Sequence, residues 1–80
     1  MSLPDESTRF ADAPGPTPEQ DAEDFGLVLR EARETQGVSA SELAGRTGVA
    51  ASDVLDFEAG RVIPAMPQFT TYMRALGFIA

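Results

Sequence analysis

The sequence predicts an all-α fold, a compact domain of four to five helices behind a disordered N-terminal arm. Residues 38–60 have the pattern of two short helices joined by a tight turn that contains glycine. On either side of this stretch, apolar residues recur at three- and four-residue intervals, which places them on one face of a helix. Eighty residues allow one domain. We therefore divide the chain into an arm at 1–20 and a helical domain at 21–80.

The arm is identified by its composition. Residues 1–20 hold four of the six prolines and show no apolar periodicity, as disordered segments do. Two interpretations of the arm are open. It is either a solvated leader without a role, or an acidic arm that folds back on the arginines of the domain. Phe10 is the one residue of the arm that could anchor it elsewhere.

The first helix is predicted to begin near Pro18 or Asp21 and to run to about Gln36. Proline suits a first helical turn, and acids at 19, 21, 23 and 24 suit the positive end of the helix dipole. Gly37 ends the helix. Its apolar stripe consists of Phe25, Leu29 and Ala32, extended by Val28.

The second helix is predicted at 40–47. Ser39 and Glu42 have the spacing of a capping box, in which each side chain accepts a hydrogen bond from the backbone amide of the other residue. Gly48 can close the helix in the left-handed conformation, and Val49 is expected to turn inward.

The third and fourth helices are predicted at 51–59 and 67–76. Val54 and Phe57 share one face of the third helix, which Gly60 closes. A loop with two prolines leads to the fourth helix, whose single apolar face has the spacing of core residues. That face consists of Phe69, Tyr72, Met73 and Leu76.

Composition argues against several kinds of site. The chain has no cysteine and no histidine, which excludes thiolate zinc sites, thiol nucleophiles and a histidine base. No nucleophile has a base partner, and no glycine-rich phosphate loop or metal cluster is present. We expect no enzyme activity, no metal and no cofactor. Without a membrane-length apolar run or a signal pattern, we expect a cytoplasmic protein that does not bind membranes.

The charge of the chain is strongly negative. Six arginines and no lysine face thirteen acids, for a net charge of −7. Residues 1–23 carry −5 of this charge and residues 24–80 carry −2. A nucleic-acid binder usually shows a basic footprint, so the balance argues against that class, although most of the excess lies near the N-terminus.

The whole helical region resembles the helix-turn-helix domain of the phage repressor and Cro type, the XRE-like family. The resemblance covers about residues 25–78 and depends on an ordered set of residues with matching gaps. The set consists of Leu27–Arg33, Gly37–Ser39, Glu42–Ala44, Gly48–Val49, Val54, Phe57–Gly60, Pro64 and Ala75–Gly77.

The resemblance implies a DNA-binding regulator, for example a small repressor, activator or antitoxin-like protein. In the family, the second helix of the motif enters the major groove of duplex DNA. The positions that would meet base edges are Ala50, Ala51, Ser52, Asp53 and Asp56. The candidates for phosphate contact are Arg46, Arg61 and Arg30. Many relatives have glutamine or another long polar residue where this chain has Ala51, Ser52 and Asp56, and they often have glutamine, for a phosphate contact, where it has Ala40.

The resemblance also implies a buried ion pair between Arg33 and Glu58, and it allows a homodimer. If the domain follows the smallest family members, Phe78 and Ile79 lie against the first helix or form a dimer contact.

The sequence also allows a second class of function. Leu55 is expected to point outward, where relatives usually have a polar residue, and Ala51 and Ala59 lie one turn to either side. This strip suits a protein partner better than a phosphate backbone. The alternative is therefore a protein-interaction module on the same fold. It would contact another regulator or RNA polymerase through an acidic, partly apolar helix.

Overall fold

The computed structural model describes residues 15–79 and contains four helices there. These are α1 (Pro18–Gln36), α2 (Ala40–Thr47), α3 (Ala51–Glu58) and α4 (Met66–Ala75). Residues 15–79 contain no strand, so the predicted all-α fold is confirmed. The prediction of a disordered arm falls mostly on residues 1–14, which lie outside the described part, and α1 begins before the boundary placed at residue 21. None of the described helices is long and apolar enough to span a bilayer.

The ends of α1 and α2 follow from their capping residues. Thr17 Oγ1 accepts a hydrogen bond from the Gln20 amide at 3.0 Å, and Ser39 Oγ accepts from the Glu42 amide at the same distance. Only this half of the predicted capping box at Ser39 forms. The Glu42 carboxylate, predicted to return to the Ser39 amide, instead accepts from Arg46 Nη2 at 3.0 Å.

The core lies where α3 and α4 meet α1. Phe69 stacks on Phe25 with ring centroids 4.6 Å apart, and Tyr72 meets Phe57 edge-on at 5.2 Å. The apolar residues that are buried there come from all four helices and their connections. They are Ala22, Leu29, Val38, Leu43, Ala44, Val54, Phe57, Ala65, Tyr72 and Leu76.

Two predicted core positions lie at the surface. The buried face of α1 is centred on Leu29, and successive helical residues are rotated by about 100°. Val28 therefore lies to the side of the core stripe and is 43% exposed. Val49, predicted to turn inward, is also exposed. Its amide donates to the Ala44 carbonyl at 3.1 Å, and its side chain lies at the rim of a depression between α3 and α4.

The C-terminal end does not add to the core. Phe78 and Ile79 are both exposed, so neither is buried against α1, and the dimer contact stays a prediction. The end of α1 is instead held by a polar contact, in which Gln36 Nε2 donates to the Leu76 carbonyl at 2.9 Å.

A glycine brings α1 and α3 into close contact. A Cβ atom at Gly26 would lie 2.5 Å from the Phe57 carbonyl oxygen and 2.8 Å from that of Glu58. Such distances are far below van der Waals contact, so α3 can approach α1 this closely only because residue 26 lacks a side chain. This crossing fixes the position of α3, the helix that carries the candidate site.

Candidate nucleic-acid interface

The candidate interface is built on α2, α3 and the turn between them. Gly48 has a φ of 80°, and its amide donates to the Ala44 carbonyl at 2.8 Å. This left-handed residue ends α2 without the steric cost that a Cβ would bring, and the chain then turns into α3. The two-helix arrangement predicted from residues 38–60 is therefore confirmed.

The first turn of α3 is capped in an unusual way. Ala50 occupies the N-cap position and has no side-chain acceptor. Within residues 15–79, the only side-chain hydrogen bond at this cap comes from Asp53, whose Oδ2 accepts from the Ala50 amide at 3.1 Å. One oxygen of Asp53 therefore has a structural role, and the other carries no hydrogen bond within the described chain.

The far end of α3 is held by the predicted ion pair. Arg33 Nε lies 2.7 Å from Glu58 Oε2, and the two side chains are only 12% and 6% exposed. Arg33 Nη1 also donates to the Val38 carbonyl at 2.9 Å. The hydrogen bond that Arg33 donates to Glu58 raises the pKa of Arg33, although burial acts in the opposite direction. The pair fixes α3 to α1 in a largely buried site.

The five predicted base-reading positions differ in their exposure. Ala50, Ser52 and Asp53 are exposed, whereas Ala51 and Asp56 are partly covered. Ala51 packs against the core, which reduces the surface that it can offer to a base. The base-reading positions that face solvent therefore carry short side chains, one of them acidic.

Arg61, a predicted phosphate contact, already has an acidic partner. Its Nη1 lies 3.0 Å from Asp56 Oδ1, with side-chain exposures of 72% and 48%. The pair joins one predicted phosphate contact to one predicted base contact. DNA that approaches this surface would therefore encounter an ion pair and not a free guanidinium group.

The other two candidate arginines are also paired. Arg46 Nη2 lies 3.0 Å from Glu42, and its Nη1 donates to the Ala75 carbonyl at 3.3 Å. Arg30 Nε lies 3.2 Å from Glu34. Exposed pairs of this kind contribute little free energy, so a phosphate group can displace the acids. As long as the acids stay paired with the arginines, the interface has little positive electrostatic potential.

The apolar strip on α3 is smaller than predicted. Leu55 is 52% exposed, as expected, and Ala59 is exposed one turn later, but Ala51 turns partly inward. Leu55 and Ala59 border a depression of about 270 Å³ that α1 closes on its other side with Arg30 and Glu34.

A larger depression of about 440 Å³ lies between α3 and α4. Asp53, Asp56 and Arg61 line it together with Tyr72, whose side chain belongs to the core. Burial raises the pKa of the Tyr72 hydroxyl, and the charges of Asp53 and Glu58 raise it further. Two aspartates against one arginine give the lining of the depression a net negative charge.

Two features of the structure were not predicted from the sequence, the close contact at Gly26 and the position of the Tyr72 hydroxyl. Gly26 could have been found, because a glycine inside a helix is destabilising and often marks a close backbone approach. The tyrosine hydroxyl gave no signal, because Tyr72 shares the spacing of the apolar stripe. No group of three or more acids within residues 15–79 could hold a metal ion.

Comparison with known proteins gives one match. The family described as "Helix-turn-helix domain" matches residues 24–79. No curated protein and no solved structure matches the chain. The matched segment contains most of α1, all of α2, α3 and α4, and every candidate site residue.

Proposed function

This chain belongs to the helix-turn-helix domain family, and from that membership we propose that it is a small transcriptional regulator that binds duplex DNA. Domains of this kind are typically DNA-binding modules without enzymatic activity. In our proposal α3 enters the major groove, and the arm that precedes α1 competes with DNA for the arginines.

The orientation of α3 is the observation that carries the proposal. Val54 and Phe57 are 0% and 1% exposed and fix the back of the helix, while the first turn, with Ser52 and Asp53, faces solvent. A helix held in this way can present its N-terminal residues to base edges. Serine can donate or accept there, and an aspartate can accept from cytosine N4.

Arg46 and Arg61 supply the phosphate contacts in this proposal. Both guanidinium groups are exposed, and within residues 15–79 each is held by surface contacts that include an acid. Binding to DNA would exchange each carboxylate for a phosphate, at little cost because exposed pairs are weak. Because the net charge of the chain is −7, affinity should depend strongly on ionic strength.

The proposal is tested by measuring binding to duplex DNA from around the gene itself, by fluorescence anisotropy over a range of salt concentrations. Phosphate contacts must make affinity fall steeply with salt. Arg61→Ala should weaken binding to all sequences and make the salt slope shallower by about one contact. Removal of residues 1–14, which carry three acids and one arginine, should raise affinity, most strongly at low salt. If the arm-free domain shows no salt-sensitive binding to any DNA, the proposal is wrong.

A homodimer would fit the same proposal, since two-fold symmetric sites are read by dimers. The exposed Phe78 and Ile79 are the candidate contact. Sedimentation of the wild type and of Phe78→Ser at several concentrations would detect it. A wild type that stays monomeric throughout would exclude it.

A protein-interaction module is the second candidate function, and one observation favours it. The solvent side of α3 combines an exposed leucine with acids, and its neighbouring arginines are paired. If this surface contacts another regulator or RNA polymerase, Leu55→Asp should abolish regulation while the fold and the weak DNA affinity stay unchanged. Leu27→Asp is the matched control, because Leu27 on α1 is equally exposed. Equal regulation by the two variants would exclude the α3 contact.

A further inference from the structure

The depression between α3 and α4 has one polar group that the fold does not use. Tyr72 is 2% exposed, yet no hydrogen bond to its hydroxyl forms within residues 15–79. No fully buried side-chain oxygen in that range lacks a partner, so this hydroxyl must be reachable by solvent. Tyr72 lines the depression, and its hydroxyl is therefore available to a ligand there.

Two carboxylates of α3 line the same depression. Asp53 and Asp56 are three residues apart on α3, which places them on one side of the helix. Asp53 uses Oδ2 for the Ala50 amide, and Asp56 uses Oδ1 for Arg61. Each carboxylate thus keeps one oxygen without a hydrogen bond from the described chain. Gln68 and Thr71 of α4 add polar side chains on the opposite wall.

The charge of the wall is unbalanced by one unit. Arg61 neutralises Asp56 at 3.0 Å, but the amide bound to Asp53 is neutral. One uncompensated negative charge therefore lines the same depression as the hydroxyl of Tyr72. Burial raises the pKa of Tyr72, and the charge of Asp53 raises it further.

We propose that this depression binds a guanidinium group through the free oxygens of Asp53 and Asp56 and the hydroxyl of Tyr72. A planar guanidinium presents several N–H donors in a fixed fork, which suits acceptors on two adjacent carboxylates. The volume of about 440 Å³ lies within the range of small-ligand pockets. The wall already holds one guanidinium, that of Arg61, at its exposed edge.

The guanidinium can belong to a free compound or to an arginine side chain of a partner. Because Asp53 and Asp56 are also proposed base contacts, an occupant of the depression and DNA would exclude each other. The site itself does not depend on the proposed function, and its test uses no DNA.

The chain provides its own probe for the test. Tyr72 is the only tyrosine and there is no tryptophan, so the tyrosine fluorescence of the chain reports on this depression. We expect a saturable fluorescence change when N-acetylarginine amide is titrated into the full chain at low salt. N-acetyllysine amide should bind more weakly, because an ammonium group lacks the planar fork. Equal affinity for the two compounds would overturn the guanidinium assignment.

Asp53→Asn is the decisive variant. Asparagine still offers an oxygen to the Ala50 amide, so α3 keeps its cap, but the charge is lost. We expect affinity for the arginine compound to fall by about tenfold or more. Glu31→Gln is the matched control, because it removes one exposed acid of α1 that lies outside the depression. Thermal melts by circular dichroism would verify that both variants fold.

The outcomes are distinct. The absence of a saturable signal, or equal affinity in the two variants, would overturn the proposal. If a glycine-flanked arginine peptide binds more tightly than the amide, the ligand belongs to a partner protein. If the two bind equally, a free guanidino compound suffices. A failure to bind DNA would leave all of these results unchanged.

Discussion

Arg33 and Glu58 are joined by two parallel hydrogen bonds, Nε to Oε2 at 2.7 Å and Nη2 to Oε1 at 3.0 Å. This bidentate geometry fixes the orientation of both side chains as well as their distance. A third bond, from Arg33 Nη1 to the Val38 carbonyl, ties in the segment that leads to α2. One guanidinium therefore connects α1, the start of the helix-turn-helix unit and its last helix.

Glu58→Ala should destabilise the domain by about 3–5 kcal/mol, because it leaves the largely buried Arg33 without its carboxylate partner. In a domain of this size, such a loss can abolish folding. Urea denaturation followed by circular dichroism would measure it.

Glu34→Ala provides the comparison for that loss. Glu34 also pairs with an arginine of α1, but its side chain is 55% exposed. An exposed pair contributes about 0–1 kcal/mol, so this variant should unfold at nearly the wild-type urea concentration. If both variants unfold like the wild type, the Arg33–Glu58 pair does not hold α3 in place.

Gly26→Ala should destabilise the domain by about 1–3 kcal/mol, the range for overpacking a close contact. The new methyl group would meet the carbonyl oxygens of Phe57 and Glu58. Gly45→Ala is the matched control in α2, because nothing lies within 4 Å of its added Cβ. That variant should gain about 0.5–1 kcal/mol from the helix preference of alanine. Thermal melts of both variants would measure the contrast, and equal melting temperatures would contradict the close crossing.

The raised pKa of Tyr72 predicts a loss of stability in alkali. Above about pH 10, the usual pKa of tyrosine, the unfolded chain releases the phenol proton while the folded chain retains it. The unfolded state then binds fewer protons, so the free energy of unfolding falls as pH rises through the folded-state pKa. Urea denaturation from neutral pH to above pH 10 would show the fall. Tyr72→Phe should remove this part of the pH dependence, and an unchanged profile would refute the prediction.

Asp56→Asn should strengthen the binding of DNA. It removes a negative charge from the interface, and Arg61 no longer has to give up a carboxylate partner when it binds a phosphate, so affinity should rise while the salt slope keeps the Arg61 contact. The new amide can also read adenine, so sequence preference should change. Anisotropy titrations against duplexes that differ at single positions would measure both effects. Glu31→Gln removes the same charge without releasing an arginine, and a variant no better than this control would argue against the role of Arg61.

The sequence predicted the helices well, because their ends are determined locally. Ser39 and Gly48 each determine a helix end through a single backbone conformation or hydrogen bond. The pairing of Arg33 with Glu58 was predicted by resemblance, since two residues that are 25 positions apart have no local signal. Burial of the pair could be expected from the sequence, because both residues lie beside apolar positions.

The candidate site was harder to predict than the fold. The partners of Arg46 and Arg30 lie four residues away on the same helices, a spacing that favours pairing. The Arg61–Asp56 pair depends on how the chain leaves α3, which no periodicity describes. The position of the Tyr72 hydroxyl depends on the packing of α3 against α4, and this tertiary detail is not visible in the spacing of an apolar stripe.

The paired arginines of the interface have a consequence for how such a protein can evolve. Aspartate and asparagine codons differ by one base, as do glutamate and glutamine codons. A single point mutation at Asp56, Glu42 or Glu34 would therefore release one arginine without altering the core. The basic surface is already encoded in this chain and is masked by its acids. A descendant could gain or lose affinity for nucleic acid in single steps, each of them reversible, while its scaffold stays the same.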